Sequence, residues 1–321
     1  MSNAQQPKIG LALGSGSARG LAHVGVIRAL ADAGVRIDCI AGTSMGALIG
    51  AVHAAGKMDE LATFFLGFDW KKTASFFDVV LPRSGLLDGA KVSELVRSHV
   101  HADGIETLPM AFAAVASDLT SGEEVVIRTG DIIEAVRASI SVPGIFTPVR
   151  RNGQILVDGG LVNPVPVSAA RAMGADIVIA VDLNHQIVNG KNLKPLLPAT
   201  NTASSEPSLR SGWMAVYDQT MQSLKQKLLA SDAPGRTQLL RWLAREEPLP
   251  SIFEVLLASI NIMETSITQT RLHIDQPNLI IQPPLGHIRF LEFGCAEEII
   301  AIGYEHTQRQ LAALDPSVLP R

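Results

Sequence analysis

The chain is short of cysteine, of net charge and of long apolar runs, and each shortage closes off a class of function. Two cysteines in 321 residues, Cys39 and Cys295, are too few for a disulfide framework and lack the spacing of a metal cage. Both stand among apolar or small neighbours and read as buried, reduced thiols. The net charge is −4, from 27 Lys+Arg against 31 Asp+Glu, so there is no basic field to hold a nucleic acid. No apolar run reaches the ~20 residues that span a bilayer, and no secretory signal precedes the first strand. The default expectation is a cytoplasmic protein, with any membrane contact peripheral. A Gly-Lys-Ser/Thr phosphate loop is missing, and no His, Cys, Asp or Glu cluster has metal-ligand spacing. Neither a cofactor nor a metal is expected.

What the chain does have is an apolar fraction of 47% with only 18% charged residues, the balance of a globular α/β protein able to bury a sizeable core. Ile9 to Leu13 reads as a strand feeding a glycine-rich loop. Leu21 to Ala33 reads as a helix with Val24, Ile27 and Leu30 on one face and Gly34 closing it. Cys39 to Ala41 is a second strand and Met45 to Ala55 a second helix, so a right-handed parallel crossover is expected. Further on, strands are expected at Ala111–Ser117, Glu124–Arg128, Gln154–Val157 and Ile177–Val181. Leu61–Phe77 reads as helical and then irregular, and further helices are expected near Lys91, at Ile132–Ser139 and at Pro166–Met173. The character changes at Leu183. Residues 184–212 are polar and rich in Asn, Pro and Ser. Helices are expected at Met214–Leu229, Thr237–Arg245 and Ile252–His273, then a strand at Leu279–Gln282 and a closing helix at Cys295–Leu314. The division is a core of residues 8–184 and a C-terminal extension of residues 185–321 packed on it.

The most informative segment is Gly42-Thr43-Ser44-Met45-Gly46. It has the G-x-S-x-G spacing of a nucleophile elbow, in which a sharp strand-to-helix turn holds a serine hydroxyl out at the end of a sheet. The helix that follows puts its N-terminus behind that serine. The plain alternative is a structural turn whose glycines permit close packing. Only one strand-helix unit fits before Ser44, fewer than in the usual α/β-hydrolase.

Gly14-Ser15-Gly16-Ser17-Ala18-Arg19-Gly20 admits three readings. A dinucleotide fingerprint is weak, because the second strand ends in Gly42-Thr43-Ser44 where a ribose-binding acid belongs. A tight turn is the plain one. The third is an oxyanion hole, a nest of backbone N–H groups facing the elbow. A serine nucleophile also needs a base. Of eight histidines, His185 is best placed for a triad, just beyond the Ile177–Val181 strand. Asp158 stands in a better setting, at a strand end before Gly159 and Gly160, where open parallel sheets place their sites.

In that order, the Gly14–Gly20 loop with Arg19, the Gly42–Gly46 elbow and Asp158-Gly159-Gly160 resemble the patatin-like phospholipase family over residues 8 to about 184. The chain looks closest to a bacterial branch whose C-terminal part carries a stretch like Ser259-Ile260-Asn261-Ile262-Met263, and later Leu279 to Pro284. The resemblance implies a three-layer α/β/α fold around a mostly parallel central sheet. It implies lipid or acyl-ester substrates, with Ser44 as nucleophile and Asp158 as base in a Ser-Asp dyad. It also implies oxyanion donors near Gly16 and Ser17, with Arg19 anchoring the loop. The chain departs from the family in having Ser15-Gly16-Ser17 where three consecutive glycines are common. A serine still donates its backbone N–H but resists positive φ. An acyltransferase or thioesterase with the same serine, or a non-catalytic membrane-binding module, remains open.

Overall fold

In chain order the strands are β1 (Ile9–Leu13), β2 (Cys39–Thr43), β3 (Ala111–Asp118), β4 (Glu124–Ile127), β5 (Val149–Arg151), β6 (Gln154–Asp158), β7 (Ile177–Val181) and β8 (Leu279–Ile281). The helices are α1 (Ala22–Asp32), α2 (Met45–Ala54), α3 (Met58–Leu66), α4 (Ala90–His99), α5 (Ile132–Ser139), α6 (Val167–Ala172), α7 (Ile252–Asp275) and α8 (Ala296–Ala312). The structure is a computed structural model that describes residues 6–68, 88–102, 104–186, 252–315 and 318–319. The expected helices at Met214–Leu229 and Thr237–Arg245, and nearly all of the 184–212 loop, lie outside the described residues. The chain forms two compact units, residues 1–193 with 256–321, and residues 194–255. Every strand of the sheet belongs to the first unit.

The sheet order is β5-β6-β3-β2-β1-β7-β8, with β4 added to β3. β3, β2, β1, β7 and β8 run parallel to their neighbours, while β4, β5 and β6 pair antiparallel. β1 and β2 are buried along their whole length, as strands covered on both faces must be. Their residues alternate between two helical layers. Leu11, Leu13 and Ile40 are fully buried, and Leu13 and Ile40 approach α2 where Gly50 leaves room for them. Ala12, Cys39, Ala41, Val178 and Ala180 cluster instead with Val167, Ala169 and Ala170 of α6. This is the expected α/β/α arrangement. Each large apolar side chain so buried contributes about 1.5–3 kcal/mol.

α1 is buried on more than the single expected face, because α8 crosses it at backbone contact. A Cβ on Gly25 would lie 2.0 Å from the Ile300 carbonyl oxygen, and one on Gly303 would lie 2.4 Å from that of Ala22. The sequence reading missed β5, a three-residue edge strand too short to display alternation. It also began α1 too early, since residues Ser17–Leu21 form a short 3-10 helix first.

Candidate active site

Register brings the site together. In the parallel pair β2–β3, Thr43 stands opposite Val115. In the antiparallel pair β3–β6, Ala116 stands opposite Asp158. The residue after Thr43 is therefore level with Asp158 across β3. Because β6 runs antiparallel, Asp158 does not reach the site from the carboxyl end of a parallel strand, as the sequence suggested. Its place follows from the pairing. Gly159 then passes tightly over β3, where a Cβ would come within 2.3 Å of the Val115 carbonyl oxygen.

Ser44 occupies φ 56, ψ −122 at the head of α2, a conformation costing of order 1–3 kcal/mol that persists only when its surroundings enforce it. The enforcement is visible. Its N–H donates to Ser139 Oγ at 2.9 Å, and the Ser139 hydroxyl donates to the Val115 carbonyl. Thr43 Oγ1 donates to the Asn163 carbonyl at 2.8 Å, tying the elbow to the chain beyond Asp158. Gly46 sits where a Cβ would meet the Leu13 carbonyl oxygen at 2.1 Å, and a Cβ on Gly42 would meet that of Gly46 at 2.3 Å. Both glycines of the elbow are thus demanded by close backbone approach.

The Ser44 hydroxyl donates to Asp158 Oδ2 at 2.6 Å. Asp158 Oδ1 accepts the Gly160 N–H at 2.7 Å. Both residues are buried, Ser44 with 6% and Asp158 with 2% of its surface exposed. Burial pushes the Asp158 carboxyl up to about 7, opposed by the hydrogen bonds from Ser44 and Gly160. A carboxyl raised by burial and short-bonded to a hydroxyl has the geometry a general base requires. Among the described residues no histidine hydrogen-bonds Ser44. His185 lies past β7 and interacts with the Asp182 backbone.

The Gly-rich loop crosses in front of the elbow. Gly16 has φ 169, ψ 0 and Ser17 has φ 48, so a serine does take the left-handed conformation at the place where the sequence departs from the glycine run. The N–H groups of Gly16 and Ser17 meet no acceptor among the described residues, whereas Ala18 N–H donates to the Phe290 carbonyl and Arg19 N–H to that of Gly16. The Arg19 guanidinium makes no hydrogen bond to Ser44. It donates to the Ile288 carbonyl at 3.3 Å and to Asn261 Oδ1 at 3.1 Å, and burial lowers it to about 10. Gly14 contributes its carbonyl, bonded to His23 Nε2 at 2.7 Å. A carbonyl only accepts, so Nε2 carries the proton, and burial lowers His23 to about 4, which keeps it neutral. A Cβ on Gly20 would overlap the Met45 side chain.

Ser44 and Ser17 open onto one cleft that encloses about 590 Å³ of space, part of it open to solvent. Its other lining residues are apolar. Met45 and Leu48 come from α2, Phe65 from α3, Val92 and Leu95 from α4, Ile140, Val142, Ile145 and Phe146 from the segment after α5, and Phe290, Leu291 and Phe293 from the segment before α8. α7 supplies Asn261 behind the loop and lines none of this cleft. Sequence reasoning missed Ser139 and His23 as loop supports. It also missed Glu264, which lies on the inward stripe Ile260, Glu264 and Thr268 of α7. An acid at helical spacing between apolar and small residues is a signal that could have found it.

A hydroxyl at an enforced elbow, a buried carboxylate bonded to it, free amides and an apolar cleft on a mostly parallel sheet define a hydrolase-type site. The sequence profile of patatin-like phospholipases matches residues 11–171. An uncharacterized NTE family protein of Mycobacterium tuberculosis is 33% identical over 96% of this chain and 92% of its own length. A second such protein from the same species is 36% identical over 79% of this chain and 43% of its own length. Patatin-like phospholipase domain-containing protein 7 of Mus musculus is 27% identical over 93% of this chain, which spans 20% of that protein. Among solved structures, VipD from Legionella pneumophila aligns with a TM-score of 0.44 at 14% identity, over 97% of this chain and 67% of that one, too loose a likeness to argue from. The chain belongs to the patatin-like phospholipase family. Membership carries a general activity, the hydrolysis of lipid acyl esters. Among the described residues no helix is long and apolar enough to cross a membrane, and no group of His, Cys, Asp and Glu could hold a metal ion.

Proposed function

We propose that the protein is a serine lipid acyl hydrolase of phospholipase A, lysophospholipase or esterase type, working through a Ser44–Asp158 dyad and an acyl-serine intermediate. The observation that carries this reading is the 2.6 Å bond from Ser44 Oγ to Asp158 Oδ2 at the mouth of an apolar cleft. Ser44 Oγ attacks the ester carbonyl and its proton passes to Asp158. The free N–H groups of Gly16 and Ser17 take the oxyanion, donors of a kind worth ~2.7–4 kcal/mol each in the transition state. Arg19 anchors their loop from behind. The tetrahedral intermediate expels the alcohol, which takes the proton from Asp158, and water then attacks the acyl-serine with Asp158 again as base. Gly14, Gly42, Gly46 and Gly159 support the geometry by admitting close backbone approach, and Gly20 and Gly160 by leaving room for the Met45 and Glu264 side chains. The acyl chain lies in the cleft along Leu48, Phe65 and Phe293. Contact with a lipid surface is peripheral.

The test is labelling by a fluorophosphonate probe, wild type against Ser44→Ala, followed by a screen of acyl esters and phospholipids. The expected result is a single labelled serine, lost in the variant, with ester turnover lost alongside. Turnover at near wild-type rate in Ser44→Ala sinks the assignment.

A further inference from the structure

The family profile ends at residue 171, yet one buried acid from beyond it stands next to the proposed base. Glu264 of α7 is 4% exposed. Its Oε2 accepts the Ser15 hydroxyl at 2.9 Å and Asn184 Nδ2 at 3.2 Å. Its Oε1 abuts Gly160, whose Cβ position lies 2.2 Å from that oxygen and 3.1 Å from Asp158 Oδ1. The two carboxyl groups therefore approach within roughly 5.5 Å, the range in which like charges shift one another strongly. Glu264 thus joins two motif loops, the Gly-rich loop through Ser15 and the turn of the base through Gly160. Ser15 stands in the run where the family often has glycine, and its hydroxyl is the group that makes the first of these links.

We propose that Glu264 is a positioning residue that acts as a neutral acid, holding the oxyanion loop against the Asp158 turn, and that its ionisation at alkaline pH shuts the site down. The inference rests on the Ser44–Asp158 reading. The groups that face Glu264 are Asp158 at the end of β6, Arg19 in the loop and Asp182 after β7. Arg19 makes no hydrogen bond to it, being held by Asn261 and Ile288. Asp182 is taken up by Gln282 Nε2 at 2.9 Å and the Asn184 N–H at 3.0 Å. Burial, then the Asp158 charge, push Glu264 up to about 8, against the Ser15 bond and Arg19. Burial and the neighbouring negative charge thus favour the neutral form of Glu264, while the Ser44 and Gly160 hydrogen bonds favour the charged form of Asp158. Once Glu264 ionises, a second negative charge sits behind the loop where the oxyanion must form. At an effective dielectric of about 20, a like charge within ~10 Å of the oxyanion is enough to slow the reaction tenfold or more.

The experiment is kcat/KM for a soluble chromogenic acyl ester between pH 5.5 and 9, in wild type and Glu264→Gln, each profile normalised to its value at pH 7. Wild type is expected to rise to a maximum between pH 7 and 8 and to fall about tenfold by pH 9. Glu264→Gln keeps an acceptor for Ser15. It is expected to lose about three- to tenfold at pH 7 but to stay flat to pH 9. An alkaline fall of equal size in both proteins, or none in wild type, overturns the proposal. Infrared difference spectroscopy of Asp158→Asn keeps the question answerable if Glu264→Gln does not fold. A protonated buried carboxyl band present at pH 7 and lost by pH 9 is expected, and its absence at pH 7 overturns the proposal. That band is independent of the dyad reading, which fails instead if Ser44→Ala retains turnover.

Discussion

The region from Ile9 to Val181 and the region from Ile252 to Leu319 contribute to the same site in opposite ways. The first contributes the Ser44 and Asp158 side chains on a closely packed backbone. Its elbow, its Gly-rich loop and its Asp158 turn work by bringing main chain to within touching distance of main chain, which is why glycines stand at Gly42, Gly46 and Gly159. The second contributes side chains and the carbonyls that hold them. Asn261 and Ile288 grip Arg19, the Phe290 carbonyl takes the Ala18 N–H, Glu264 meets Ser15, and Phe290 and Phe293 wall the cleft. A backbone requirement leaves a residue pattern at fixed spacing. A side-chain requirement can be met from many places in a chain and leaves almost none.

The comparison is broken most severely at the dyad. Asp158→Asn, whose amide cannot accept the Ser44 proton, is expected to lower kcat by on the order of 10³–10⁵, the scale of single members of such units. His185→Ala should stay within about threefold of wild type by the same assay, a margin far below that scale. The reverse pattern moves the protein to a Ser-His triad.

Next in size is Gly46→Ala. In an ordinary helix this change gains about 1 kcal/mol. Here the new methyl would meet the Leu13 carbonyl oxygen at 2.1 Å, so a loss of about 3 kcal/mol is expected in denaturant unfolding. Phe290→Ala, on the other side of the cleft, should leave the elbow intact and act on acyl-chain preference instead. A stable Gly46→Ala protein with full activity would mean the backbone approach is not required.

The two regions meet in the pH dependence of stability. Asp158 and Glu264 are both raised in the folded state, to about 7 and about 8, above their unfolded values near 4. Folding therefore retains protons that the unfolded chain has released, and stability falls as pH rises from about 4 to about 8. Thermal melts of wild type should decline across that window. Either Glu264→Gln or Asp158→Asn should reduce the slope below about pH 7, and Glu264→Gln should also flatten the part between about pH 7 and 8. Parallel curves for all three proteins would show that neither acid is strained by its burial.

Smaller again is the gain per methylene in the cleft. Each buried CH₂ is worth about 0.8 kcal/mol, so kcat/KM should rise about three- to fourfold per carbon from acetyl to medium-chain p-nitrophenyl esters. A strict preference for acetyl would remove the lipid reading even with Ser44 as nucleophile. The smallest effect is expected for Ser17→Gly. It relieves a left-handed serine, about 1–2 kcal/mol, but adds freedom to the unfolded chain worth about 0.4–1 kcal/mol. A net gain near 0.5 kcal/mol in unfolding free energy should result, and a loss would mean that the Ser17 side chain has a bond worth keeping.

The sequence by itself determined the strands other than β5, the elbow, the Gly-rich loop, the order of the motifs and the family. All of these rest on local rules, namely short apolar runs, glycine where main chains touch, and spacing within a few residues. It also pointed to Asp158, although for a reason that the antiparallel run of β6 replaces. Only the tertiary structure decided which residues sit behind those motifs. Register across β3 sets Asp158 level with Ser44. Ser139 from α5 holds the elbow's N–H, His23 from α1 holds the Gly14 carbonyl, and Glu264 reaches Ser15 across 249 residues of chain. Such partners are selected by distance in space and by the need to satisfy buried polar groups, and neither quantity is written along the chain.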